Sequence, residues 1–203
     1  MGGQEIIDHL LHQRACRSFT DEPVDGDDLA TMLRAATHAP SAENAQPWVF
    51  VVVRDTATRG AVIELTRGVW DGGARTHAER NLDAGFLAAV DAFIDSGYGG
   101  APVLVVVAGD GRSGASAAVL SSSVLPAVQN LLLAAAALGY GSSMTTLAAQ
   151  VPDALSEIVG LPTSVRPFAV VPIGRSATML GPPRRRPVAA VAHLDAFGVP
   201  FNP

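Results

Sequence analysis

The chain has 203 residues, 48% of them hydrophobic and 16% charged, with a formal net charge of −5. That composition supplies a sizeable core and excludes a disordered chain, and its acidic balance argues against non-specific nucleic-acid binding, which needs a basic surface to displace counterions. All 14 basic residues are Arg, which excludes Schiff-base lysine chemistry and a Walker-type phosphate loop, while the single Cys16 excludes a disulfide framework or a multi-cysteine zinc site within one chain and suits a reducing cytoplasm.

In chain order, residues 4–13 read as a helix with Ile6, Ile7, Leu10 and Leu11 on one face, and its Glu5, Asp8 and His9 argue against a signal peptide. Residues 27–38 read as a second helix with an acidic first turn and with Leu29, Met32, Leu33 and Ala36 inward, stopped by Pro40. The β-branched run 48–54 predicts a buried strand, 56–67 a helix, 68–73 a loop and 75–94 one helical segment. A second central strand is expected over 103–108. From Gly111 to Pro152 the only charged residue is Arg112, and 117–138 has helical length with apolar or small residues all round, so it must be covered by its own domain or by a second subunit. No apolar run is expected to approach a membrane span, stretches such as 131–138 being core-sized. A short helix over 152–159 ends at Gly160, and 168–173 is a third strand in which Pro172 calls for an edge or an irregularity. The proline-rich tail 182–203 reads as an arm lying on the core or on another subunit, and one domain spans 1–203.

Gly109-Asp110-Gly111-Arg112-Ser113-Gly114 matches a dinucleotide-binding turn, yet no acidic residue follows about 20 positions on, so a plain Gly/Ser loop is the better reading. His9, His12, His38, His77 and His193 have no metal-ligand spacing, and no nucleophile elbow is present. Cys16 lies between Arg14 and Arg17, which would lower its pKa, but a lone apolar cysteine is more often core. Arginine suits bidentate phosphate recognition, and two groups stand at opposite ends of the chain: Arg14 with Arg17, and Arg184 with Arg185 and Arg186. Between them, the Pro-bounded loop 39–48 (APSAENAQPW) delivers Ser41, Asn44 and Gln46 just before a strand, an arrangement that suits a polar heterocycle.

Taken together and in order, these segments resemble the FMN-dependent nitroreductase family. Gln13-Arg14-Ala15-Cys16-Arg17-Ser18-Phe19 is similar to its N-terminal arginine pattern, 39–48 to its Ala-Pro-Ser-x-x-Asn-x-Gln-Pro-Trp loop, and 138–141 to its Leu-Gly-x-Gly segment. The last strand and Arg184–Pro187 match its basic arm, so the resemblance covers nearly the whole chain. It implies an α+β fold with a mostly antiparallel central sheet flanked by helices, and an interlocked homodimer with FMN at the interface and an extended C-terminal arm.

By the same resemblance, Arg14, Ala15 and Arg17 hold the ribityl phosphate, joined by Arg184 and Arg185. Pro40, Ser41, Glu43, Asn44 and Gln46 line the flavin from the same or the other subunit. Met144, Thr145 and Thr146 lie along the ring, with Thr146 a candidate partner for N5. Ping-pong reduction is implied: NADH or NADPH reduces FMN and leaves before a flat nitroaromatic, quinone or flavin takes the electrons, with no metal and no side-chain nucleophile. Two positions depart from the pattern: Gln13 stands where many members have Arg, and Glu43 where many have Gly. The competing readings are a flavin-dependent oxidase or dehydrogenase of a specialised metabolite, an FMN-binding protein without turnover, and a nicotinamide dehydrogenase built on Gly109–Gly114. The expected setting is cytoplasmic, without nucleic-acid or membrane partners.

Overall fold

The three runs rich in β-branched residues form strands that pair with one another. In the computed structural model, which describes residues 2–112 and 114–201, they are β1 (Trp48–Val53), β2 (Val103–Asp110) and β4 (Val165–Gly174), joined by a two-residue β3 (Gly141–Ser142). The sheet order is β1-β2-β4-β3 and every pairing is antiparallel, with Val51 opposite Val106 and Val106 opposite Val170. β2 is buried on both faces. β1 is an edge strand and mostly half-buried, so it is not the buried strand its composition predicts. β4 runs inside the sheet, but the carbonyl of Pro172 faces the Ser143 N–H at 3.3 Å, on the side where its short neighbour leaves the ladder. Its missing N–H therefore falls at the expected irregularity.

Period-2 alternation divides the core between the two faces of the sheet. Val105, Val107, Val171 and Ile173 pack under α2 (Gly26–Ala36) and α6 (Ala117–Ala137). Leu104, Val106 and Val170 pack under α3 (Thr56–Val69), α5 (Ala84–Asp95) and α7 (Pro152–Val159). Asp25 caps α2 by accepting from the N–H groups of Asp27 and Asp28, and Gly160 ends α7 in the left-handed conformation.

Several expectations change. Residues 68–73 are not a loop: α3 continues to Val69 and runs into a single π turn, Trp70–Ala74, before α4 (Arg75–Glu79). The one helix expected over 75–94 is two, because the Asp83 carboxylate caps a new start at Phe86 N–H, 2.9 Å away. Asp91 pins the π turn, accepting from Trp70 Nε1 and from Arg75 Nε and Nη2, each at 2.9 Å. α6 spans 21 residues and, by length and composition, could cross a membrane, contrary to the estimate from shorter runs. Instead Leu120, Val124, Ala127, Val128, Leu131 and Ala135 are buried in the core, while Val119 and Leu125 are exposed. Its apolar character all round is thus covered on one side only within the chain.

α1 (Gly3–His12) forms as predicted, with Ile6, Ile7, Leu10 and Leu11 all exposed. The C-terminal arm also exposes Val188, Val191, Leu194 and Phe197.

Candidate functional site

The arginine segment is held by backbone on both sides. Cys16 N–H donates to Ser142 O and Phe19 N–H to Gly99 O, each at 2.9 Å. The approach requires glycine: a Cβ on Gly141 would lie 2.7 Å from Cys16 Sγ, and one on Gly99, whose φ is +67°, would collide with the Arg17 carbonyl. Cys16 itself is fully buried, with Sγ 3.2 Å from Ser18 O, which fits the core reading. Tyr140 steadies the entry to β3. Its hydroxyl donates to Asp28 Oδ2 at 2.9 Å, and the Arg175 guanidinium lies 3.9 Å over its ring.

Arg17 is half-buried, 4.8 Å over the Phe86 ring. Burial lowers its pKa, and the neighbouring Arg14 guanidinium lowers it further. Arg14 is exposed and donates to Gly181 O at 2.9 Å, where the arm departs. Among the described residues neither arginine pairs with a carboxylate; the ion pairs engage Arg67, Arg75, Arg112 and Arg175 instead. Arg14 lines a cavity of about 240 Å³ together with Ala136, Tyr140, Gly141, Ser142 and Ser176; Arg17 does not line it but is close enough for the two guanidiniums to repel, and two neighbouring cations that lack a carboxylate among the described residues suit an anion. Ala15 is half-buried beside them. Arg184 and Arg185 are exposed a few residues beyond Gly181; Arg185 donates to the Arg184 carbonyl, and no hydrogen bond among the described residues ties either to Arg14 or Arg17.

Met144–Thr146 joins this corner through Ser142. Thr145 exchanges backbone hydrogen bonds with Val170 at 2.9 and 2.8 Å, which fixes the segment on the sheet, while Met144 and Thr146 are exposed. The Ser143 hydroxyl is buried and has no hydrogen-bond partner among the described residues, an unmet polar group next to Met144–Thr146.

The loop 39–48 stands elsewhere. Ser41 Oγ accepts from Gln46 N–H at 3.1 Å, and Gln46 Nε2 donates to Asn44 Oδ1 at 3.3 Å. Ser123 of α6 holds the loop by accepting from Ala42 N–H at 3.1 Å. Glu43, Asn44 and Gln46 have φ of 54°, 54° and 48°. Left-handed backbone is costly for residues with a Cβ, and such strain collects where side chains must be aimed. Pro40, Glu43, Asn44 and Gln46 are exposed and Ser41 is half-buried. A cavity of about 290 Å³ lies against the loop, bounded by Ala42, Glu43, Pro47, Ala115, Val119 and Ser123.

Within one chain the predicted site residues therefore form two groups. Ser123 holds the loop and Ala136 lines the arginine cavity; thirteen residues of one helix separate them, about 20 Å at 1.5 Å per residue. The sequence reading missed Gly99, Phe86, Ser123 and Ser143. Only the Gly99-Gly100 pair carried a local signal, that of a tight turn.

The dinucleotide reading falls with the topology: β2 is followed by α6 and antiparallel strands rather than by a parallel βαβ unit. Gly111 N–H donates to Ser164 O at 2.7 Å, Arg112 pairs with Asp110, and Ser113 lies outside the described residues. His12 meets the Asp8 carbonyl of its own helix, His38, in the turn after α2, reaches back to the Arg34 carbonyl of that helix, and His9 meets Leu133 O of α6 at 2.9 Å.

The sequence profile of the Nitroreductase family matches residues 10–175. An Archaeoglobus fulgidus protein described as an NADH dehydrogenase/NAD(P)H nitroreductase is 27% identical over 173 residues, 84% of this chain and 85% of the relative. The Bacillus subtilis FMN reductase [NAD(P)H] is 28% identical over 201 residues, covering 95% of this chain and 74% of the relative. A Desulfovibrio desulfuricans protein described as a nitroreductase and solved in complex with FMN superposes with a TM-score of 0.75 at 25% identity, covering 95% of this chain and 97% of the other. The chain belongs to the nitroreductase family and is an oxidoreductase.

Proposed function

We propose that this protein is an FMN-dependent oxidoreductase that uses NADH or NADPH to reduce a flat acceptor such as a nitroaromatic, a quinone or a flavin. The residues present fit FMN: Arg14 and Arg17 bring two uncompensated cations for a phosphate, and Ser143 brings an unpaired buried hydroxyl beside the ring-facing segment. Bound FMN supplies electron transfer between nicotinamide and acceptor, and the chain supplies binding and orientation. Arg14 and Arg17, with Ala15 between them, hold the phosphate, and Arg184 and Arg185 approach it from the arm. Met144, Thr145 and Thr146 would lie along the ring, with Thr146 the candidate donor to N5. Ser41, Asn44 and Gln46 cover the ring with hydrogen-bonding groups, and Pro40 and Glu43 complete the wall.

The observation that carries this reading is the match of residues 10–175 to the Nitroreductase family together with Arg14 and Arg17, which have no carboxylate partner among the described residues; the separation of the arginines and the 39–48 loop along α6 supports a site shared by two chains. A two-fold pair of chains completes both, each site taking the arginine corner from one protomer and the loop from its partner. The exposed apolar face of α1, the open side of α6 and the arm are the surfaces such a pair would cover.

The test is the visible spectrum of purified, FMN-supplemented protein without oxygen, before and after NADH or NADPH. Bleaching of a bound flavin spectrum is expected. A bound flavin that stays oxidised with both nucleotides would contradict the reductase reading, and a protein that takes up no FMN would contradict the cofactor.

A further inference from the structure

We propose that Tyr98 is a positioning residue for Arg17: its buried hydroxyl, anchored on Thr66 of α3, holds the left-handed turn 97–100 against the arginine segment and thereby sets how well Arg17 meets a phosphate. The inference rests on the FMN reading above and adds a part of the chain that reading does not use.

Gly97, Tyr98, Gly99 and Gly100 have φ of 68°, 58°, 67° and 77°, so the whole turn is left-handed. Glycine adopts that region freely, whereas a residue as bulky as tyrosine does so only where its surroundings hold it. Here the side chain is the anchor. Tyr98 is 1% exposed, its ring is stacked on Phe93 with centroids 5.2 Å apart, and its hydroxyl is bonded to Thr66 Oγ1. Thr66 donates its own proton to Val62 O at 3.0 Å, which makes Tyr98 the donor of the pair. Burial pushes the Tyr98 hydroxyl up to about 12, which keeps that proton in place at neutral pH. A phenylalanine would bury its ring equally well; the hydroxyl is what ties the ring to one point on α3. Arg59, two helical turns earlier on the same face of α3, fastens the exit of the turn through Nη1 to the carbonyls of Ala101 and Pro102, at 3.0 and 2.7 Å. The turn then carries the arginine segment. Gly99 O accepts from Phe19 N–H at 2.9 Å, and Gly99 packs so closely on the Arg17 carbonyl that a Cβ would collide with it. The path from α3 to the Arg17 backbone thus runs through Thr66, Tyr98 and Gly99 within one chain.

The test is a double-mutant cycle on FMN affinity, read by flavin fluorescence, with Tyr98→Phe placed in wild type and in Arg17→Ala. Tyr98→Phe keeps the ring, and Thr66 keeps Val62 O as its acceptor, so no buried donor is orphaned and the chain is expected to fold. In wild type it should weaken FMN about fivefold, the worth of one internal hydrogen bond, and in Arg17→Ala it should cost nothing further. Thr66→Val should repeat the loss, and Thr66→Ser, which keeps a hydroxyl, should hold wild-type affinity. In the flavin-free chain Tyr98→Phe should speed exchange of the Phe19 amide. Unchanged FMN affinity in Tyr98→Phe, unaltered exchange at Phe19, or an equal loss of FMN in both backgrounds would each overturn the proposal, the last by marking Tyr98 as a packing residue only. These outcomes leave the FMN reading standing. Absence of FMN uptake in wild type, or Arg17→Ala with its FMN affinity intact, would instead refute the flavin or phosphate reading and this proposal with it.

Discussion

Arg17 is the residue on which the proposed phosphate site depends most. Its guanidinium is desolvated on one side by burial, repelled by Arg14 and left without a carboxylate, so an incoming phosphate gains more from it than from a solvated surface arginine. Hydrogen bonds to charged groups contribute about 1.5–3 kcal/mol each, so Arg17→Ala should weaken FMN binding about tenfold to a hundredfold, measured by flavin fluorescence titration. Unchanged FMN retention would remove Arg17 from the phosphate site. Gly99 acts one step behind it. Gly99→Ala adds a Cβ into the Arg17 carbonyl at a left-handed φ, so it should lower stability by at least about 2 kcal/mol and release FMN with it. Glu43 works in the opposite direction: relief of left-handed backbone is worth about 1–2 kcal/mol, partly offset by glycine's entropy, so Glu43→Gly should raise stability by roughly 0.5–1 kcal/mol in denaturant unfolding. The arginines and the loop were legible in the sequence because their order and residue types form a pattern. The left-handed backbone at Glu43 was not, since Glu carries no preference for that region, and nothing in the helical run 117–138 marks Ser123 as the residue that fastens the loop.

Helices and strands show the same division. The strands over 48–53, 103–110 and 165–174 and the helix over 152–159 were legible because β-branched runs, proline and a terminal glycine each act locally. Burial of β1 was not, because a hydrophobic run reads alike at a sheet edge and at its centre. Residues 68–73 were misread because their glycines suggest a loop, whereas Asp91, some 20 positions on, accepts from both Trp70 and Arg75 and draws Trp70–Ala74 into a π turn. Asp91→Ala should therefore raise amide exchange across 70–79 while leaving the sheet protected. Unaltered exchange there would show that the turn holds without the carboxylate. The hydrogen bonds from Arg75 and then Trp70 depress the Asp91 pKa. Its contribution is thus complete above the unfolded carboxylate value and fades as pH falls through the lower folded value, so the same 70–79 amides should lose protection on acidification ahead of the sheet.

For the molecule as a whole, the proposed two-fold pair would account for the unusual features of single segments. A helix apolar all round but covered on one side, an amphipathic first helix with its face exposed, and an apolar arm are liabilities in a lone chain and assets in a pair. The proposed site divides along the same lines, with the Arg14 cavity towards one end of α6 and the 39–48 loop towards the other. The measurement that decides whether two chains share each site is complementation between two defective protomers. One carries Arg14→Ala and Arg17→Ala, the other Asn44→Ala and Gln46→Ala. They are co-expressed with different tags, and the mixed dimer is isolated through both tags and assayed for bound FMN. A shared site predicts that the mixed dimer, with one intact site and one doubly damaged site, regains about half of the wild-type flavin, well above either parent. A mixed dimer with no more flavin than its parents would show that each site lies within one chain.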